Sequence, residues 1–425
     1  MNRLSLWGVK VQNASILLYL LWLLLPAVQT TGRAASGVFC VALFGLGVLM
    51  DAQYLKTVWP RLLLRALCAA AAPLVLRRFL NRGGDNFWGY YVQQAMFWFP
   101  LVFAGHVRQR RDARAWRWMK WVLLAAVTVT TLTTIGWLIQ GMLRGGKVYA
   151  YSRSLGYGGE GRDAYLKELM LRNIGGYDFI YASVAALPLT CIGIMRSRGW
   201  ARTGYTALLC AQTVMIALSQ YTYALVFAAA ILAAEALAAL ARCLSRGKLK
   251  LGGSLLIGLV PLLLALALRK PLIGLGAGLC SRLGLDHFAF SLEQLQAAME
   301  GGVLSADSRM SYYLTALEGF RRSPLVGRLL GGEALLSQHS DLLDLLSGLG
   351  LLGTALFGAM MFAMGRGALQ GVCRSPERAQ LCVMAISLLA TAALGTVCYS
   401  RDIMAVAALG TLLVLEGTRR ANPPG

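Results

Sequence analysis

Residues 121–143, WVLLAAVTVTTLTTIGWLIQGML, contain no ionisable side chain. As a helix the stretch is about 34 Å long, enough to cross about 30 Å of hydrocarbon with every backbone group satisfied internally. Comparable runs recur along the chain, bounded by Lys and Arg, and this recurrence constrains the fold more than any other feature. With 57% hydrophobic and 14% charged residues over 425 residues, a soluble globular domain is excluded. The chain reads as an all-α polytopic membrane protein, a single integral membrane domain over 1–425.

Apolar windows predict about twelve transmembrane helices, near 14–30, 35–50, 62–76, 88–105, 119–141, 177–195, 203–219, 221–241, 252–268, 347–365, 379–398 and 402–416. The third window is short and holds Arg65 and Pro73, so a re-entrant segment fits it as well as a span does. Orientation follows from the short loops. Arg108, Arg110, Arg111, Arg114, Arg117 and Lys120 precede or open the fifth window, Arg196, Arg198 and Arg202 follow the sixth, and Arg242, Arg246, Lys248 and Lys250 follow the eighth. The positive-inside rule then places both termini in the cytoplasm, against the contrary vote of Arg77, Arg78 and Arg82. The first apolar run has no small-residue cleavage site after it and reads as a retained span. Two long segments fall outside, 142–176 between spans five and six and a large extracytoplasmic loop, 269–346, between spans nine and ten. Chemistry is expected there.

The formal charge of +22 does not point to nucleic acid, because the basic residues sit in loops and form no stripe interleaved with stacking aromatics. Lipid headgroups and anionic lipid-linked substrates are the expected partners. Most of the nine cysteines fall inside apolar runs, and no CxxC or CxxH spacing exists, so neither a disulfide framework nor a metal site is predicted.

Within the large loop, DSRMSYYLTALEGFRRSP (307–324) has helical spacing in Met310, Tyr313, Leu314, Leu317 and Phe320, and Ser323-Pro324 ends it. Arg309, Tyr312 and Tyr313 share a face. A guanidinium beside two phenols suits a phosphate, and the same face equally suits an interfacial helix with an aromatic anchor. After the glycines 331 and 332, Gln338-His339-Ser340 opens an apolar helix. A histidine in a first helical turn feels the positive end of the dipole and stays neutral, the form a general base requires. A plain interfacial histidine fits the same position. His287 and His106 read as structural or interfacial.

The order of these elements resembles the signature of the O-antigen ligase and polymerase superfamily. The matching positions are Arg309, Ser323-Pro324-Leu325-Val326-Gly327, His339-Ser340-Asp341-Leu342-Leu343 and Gly350-Leu351-Leu352-Gly353. The pattern departs at Ser340, where the family often has asparagine; at Leu329, where it has glycine; and at Gln220, where many relatives have arginine. The resemblance implies a GT-C-like glycosyltransferase of the bacterial cytoplasmic membrane, acting without metal or other cofactor. Its donor is a polyprenyl-pyrophosphate-linked oligosaccharide and its acceptor a second glycan, and other polysaccharide assembly proteins are implied as partners. His339 would act as base or acceptor-positioning group. Arg309, Tyr312, Tyr313, Arg321, Arg322, Arg162, Arg172 and Arg401 would hold pyrophosphate and sugar. The function implied is polymerisation of O-antigen, capsule or exopolysaccharide repeats; a ligase that passes finished polymer to another acceptor is the near alternative, and a lipid or polysaccharide flippase the alternative of a different class.

Overall fold

The computed structural model describes residues 3–51, 99–100, 102–107, 112–144, 162–244, 269–282, 289–290, 292–293, 296, 309–327, 339–369, 375–395, 401–411 and 414. The fold is all-α, with no strand among the described residues. Its helices are α1 (Arg3–Leu24), α2 (Pro26–Leu49), α3 (Ala113–Leu143), α4 (Arg162–Leu171), α5 (Tyr177–Arg196), α6 (Trp200–Ser219), α7 (Thr222–Leu244), α8 (Arg269–Arg282), α9 (Arg309–Arg322), α10 (Asp341–Leu369), α11 (Ser375–Leu394) and α12 (Arg401–Met404), which continues as a π-helical turn over Ala405–Gly410.

The distribution of polar and apolar side chains is that of helices suited to an apolar solvent. Gln12, Ser15, Thr130, Thr134 and Gln212 are fully buried, whereas Trp7, Phe39, Leu132, Leu356, Phe362 and Leu389 point outward. A water-soluble bundle does the reverse. Among the described residues four helices are long and apolar enough to cross a membrane, Arg3–Leu24, Arg114–Leu143, Tyr177–Arg196 and Asp341–Ala359, and a fifth if α2 counts as one span although its two legs meet at 90°. Shorter apolar stretches lie at Tyr223–Leu237 and Gln380–Ala393. The windows predicted at 62–76 and 252–268, and most of 88–105, lie outside the described residues.

The first helix begins earlier and ends sooner than its apolar window. Gln12, ahead of the window, and Ser15, inside it, are both spent on α2: Gln12 Nε2 donates to the Gly47 carbonyl at 2.8 Å and Ser15 Oγ to the Cys40 carbonyl at 2.6 Å. In hydrocarbon such bonds hold neighbouring helices together, each at about 0.6–2 kcal/mol. The helix stops at Leu24 because Pro26 takes the first turn of α2, where a missing N–H costs nothing.

Packing runs from α2 through α1 and α3 to α6, and from α6 through α5 to α11, α10 and α9. Helix α5 is the axis, with every residue from Phe179 to Thr190 buried. A polar knot ties the entry to α5 against the middle of α3. Asn173, at φ +59°, donates through Nδ2 to Thr130 Oγ1 at 3.0 Å, while Thr133 Oγ1 donates to its carbonyl and Gly175 N–H to Thr134 Oγ1. His106 also differs from expectation: it is fully buried, edge-on to Phe44 with ring centroids 4.9 Å apart, rather than at an interface.

Candidate functional site

Helices α9 and α10 run side by side in the same direction. At their starts the Tyr312 ring meets the His339 ring edge-on, centroids 4.8 Å apart at 66°. At the far end of α9, the turn 323–327 is hydrogen-bonded to the middle of α10: Leu351 N–H donates to the Pro324 carbonyl at 2.8 Å and Leu352 N–H to the Leu325 carbonyl at 3.0 Å.

Those two bonds exist because α10 is broken. Gly350 has φ +63° and ψ −172°, a conformation essentially restricted to glycine, so its second half starts afresh with unpaired N–H groups. The turn supplies the missing carbonyls. Gly327, also at φ +63°, makes the approach possible: a Cβ on it would lie 2.2 Å from the Gly348 carbonyl oxygen, and one on Gly350 would lie 2.4 Å from that of Leu325. The SPLVG and GLLG stretches are thus two halves of one contact.

The start of α10 sets the histidine. Ser340 is the cap, its Oγ accepting from Leu343 N–H at 3.2 Å and its carbonyl from Asp344 N–H at 2.9 Å. Asp341 and Asp344 then complement the dipole. His339 therefore stands one residue ahead of the cap and not in the first turn, because serine competes far better for the capping position. This end of α10 is fastened to α11 through Asp341 N–H to the Gly395 carbonyl at 3.1 Å and, at 3.5 Å, Ser340 Oγ to the Ala392 carbonyl.

Gly395 links the corner to a cluster of tyrosines. A Cβ there would lie 3.6 Å from Tyr177 Oη. The Tyr177 ring packs against Tyr181 at 4.7 Å and edge-on to Tyr221 at 5.0 Å. Gln220 is the left-handed end of α6 at φ +53°, buried, and it aims Tyr221 into this cluster. Leu329 lies outside the described residues.

Of the residues expected to bind substrate, the structure brings Tyr312 to His339. Arg321 and Arg322 sit about 14 Å further along α9 and are exposed, Arg322 Nε donating to Glu318 at 3.0 Å. Arg172 ends α4 on the α2 flank, paired with Glu168. Tyr313 is half-buried on α9. Arg309, Arg162 and Arg401 open α9, α4 and α12, and their side chains, like His287, lie outside the described residues.

Three carboxylates escaped the sequence reading. Asp341, Asp344 and Asp402 are 3%, 7% and 4% exposed. Their signal was present, since two acids three residues apart at the head of an apolar helix share its buried face. Among the described residues no group of three or more His, Cys, Asp and Glu side chains is placed to hold a metal ion. Chemically the corner offers an imidazole that accepts a proton, phenols that hydrogen-bond and stack on sugar, and acidic groups screened from water. No protein-family model matches the chain and no curated protein matches it.

Proposed function

We propose that the chain is a membrane glycosyltransferase that joins polyprenyl-pyrophosphate-linked oligosaccharide repeats into a surface polysaccharide. The observation that carries the reading is the pairing of α9 with α10, which meet in the His339–Tyr312 contact at one end and in the SPLVG turn closed on the glycine break of α10 at the other. Residues 27 positions apart meet at both ends of α9, Tyr312 with His339 and Pro324 with Leu351. The twelve-span plan, the GT-C-like architecture and the outward-facing 269–346 loop with both termini cytoplasmic belong to the same proposal.

In this reading the acceptor hydroxyl oxygen attacks the anomeric carbon of the donor. Its proton passes to His339, the bond from that carbon to the pyrophosphate oxygen breaks, and the polyprenyl pyrophosphate leaves with the electron pair. Tyr312 holds the imidazole edge-on, and arginines of the outer segments offset the charge of the leaving group. General-base help of this kind is worth about 10²–10⁴ in rate.

The test uses purified protein with a lipid-linked oligosaccharide. His339→Ala is expected to remain inserted and to lose long polymer while single repeats stay lipid-linked; unchanged chain length in that variant sinks the proposal. Transfer to a lipid-core acceptor instead of a second repeat identifies a ligase. The break in α10 favours a second reading, a flippase, because transporters bind substrates at the open N–H groups of broken helices. Here the Leu351 and Leu352 N–H groups are already bonded to the turn. Translocation of lipid-linked repeats without polymer formation, in sealed vesicles, decides for the flippase.

A further inference from the structure

Away from this corner, α3, α5, α6 and the turn after α12 leave a narrow, partly open crevice between them. Its wall is apolar, formed by Leu123, Val127, Leu189, Leu208, Val406 and Val414. Two donors interrupt that wall. Gln212, fully buried, has no partner for Nε2, and Tyr205, 6% exposed, has none for Oη. Each is a cost to folding that a bound acceptor removes.

Both groups are held in place. Thr190 Oγ1 lies 3.0 Å from Gln212 Oε1 and fixes the amide. The Tyr205 ring lies on Gly193, where a Cβ would come within 2.5 Å of it, and Lys120 Nζ stands 5.4 Å above the ring centre. Arg196 is close enough to repel Lys120, and Arg114, Arg117, Arg198 and Arg202 are exposed on adjoining turns. Trp118, Trp121 and Trp200 are 59%, 60% and 91% exposed at the same level, where tryptophan marks the headgroup region of a bilayer. Cations thus crowd the mouth of an apolar crevice that contains two donors and is about 10 Å long from Tyr205 to Gln212.

We propose that this crevice is a binding site for one anionic glycerophospholipid. The phosphate oxygens meet Lys120 and the Tyr205 hydroxyl, an ester carbonyl accepts from Gln212 Nε2 two helical turns deeper, and an acyl chain runs along Val127, Leu189 and Val406. The site is independent of the His339 corner and of the reaction assigned to it.

The experiment takes delipidated full-length protein in detergent and adds phosphatidylglycerol, or phosphatidylcholine of the same chains, following thermal unfolding and counting bound lipid by native mass spectrometry. One phosphatidylglycerol per chain is expected, with Tm raised on the order of 5 °C at about 100 times its Kd. Gln212→Leu removes a donor that has no partner, and Thr190 Oγ1 still donates to the Ala186 carbonyl at 3.1 Å, so the variant keeps the lipid-free Tm to within a few degrees and weakens binding about ten-fold. Lys120→Gln abolishes the preference for phosphatidylglycerol. Gly410→Ala, whose Cβ meets nothing closer than 3.5 Å, folds normally, narrows the crevice and lowers lipid retention. Equal shifts from both lipids overturn the proposal, as does phosphatidylglycerol binding that Gln212→Leu, Lys120→Gln and Gly410→Ala all leave unchanged.

Discussion

Two pairs of glycines bring backbones into contact in this protein, and they do so for different reasons. Gly8 and Gly47 lie within straight parts of α1 and α2, and a Cβ on Gly8 would come 2.7 Å from the Gly47 carbonyl oxygen. Small size alone matters there, and helices can slide apart by a few tenths of an ångström. Gly327 and Gly350 are both left-handed as well as crowded, and the atoms they face are backbone atoms that complete a broken helix. The first pair sets a distance; the second sets a conformation and a hydrogen-bond pattern at once.

Substitutions rank accordingly. Gly350→Ala should cost the most, about 3–5 kcal/mol, because strain in a glycine-only conformation adds to the clash with the Leu325 carbonyl. The detergent-solubilised protein should melt earlier and transfer activity should vanish. A variant with native Tm would show that the break is not locked as described. Gly47→Ala should cost about 1–3 kcal/mol through overpacking, lowering Tm while leaving kcat of the folded fraction intact. A selective loss of turnover there would erase the contrast between scaffold and site. Ser340→Ala should remove a cap worth about 1 kcal/mol, whereas Ser340→Asn should stay within a few tenths, which the same melts can resolve. Smallest is Arg322→Gln, below about 0.5 kcal/mol, since its partner Glu318 is equally exposed. A sharp fall in donor affinity from that change would bring the far end of α9 into the site.

The sequence made the membrane character and the order of the site motifs legible, because hydropathy and spacing are local properties. It fixed the leg Ala35–Leu49 of α2 and the span of α5 closely. It placed the start of α1 late, since Gln12 looks unfit for hydrocarbon until its partner on α2 is known. His339 was put in the helix and not before it, because only the geometry at Ser340 shows which residue caps. The pairing of SPLVG with GLLG stayed hidden for a related reason: nothing in either stretch alone says that a loop lends its carbonyls to a helix. The carboxylates Asp341, Asp344 and Asp402 were passed over because a search for cations to meet pyrophosphate takes no account of acids.

The dependence of Leu351 and Leu352 on the Pro324 and Leu325 carbonyls also bears on biogenesis. During synthesis the turn emerges from the ribosome before the second half of α10 does. If that half entered the lipid first, its leading N–H groups would face hydrocarbon with nothing to bond, at several kcal/mol each. Correct insertion of α10 therefore requires that the segment ahead of it has already folded back on it, so deleting 323–327 leaves the second half of α10 without acceptors for its leading N–H groups.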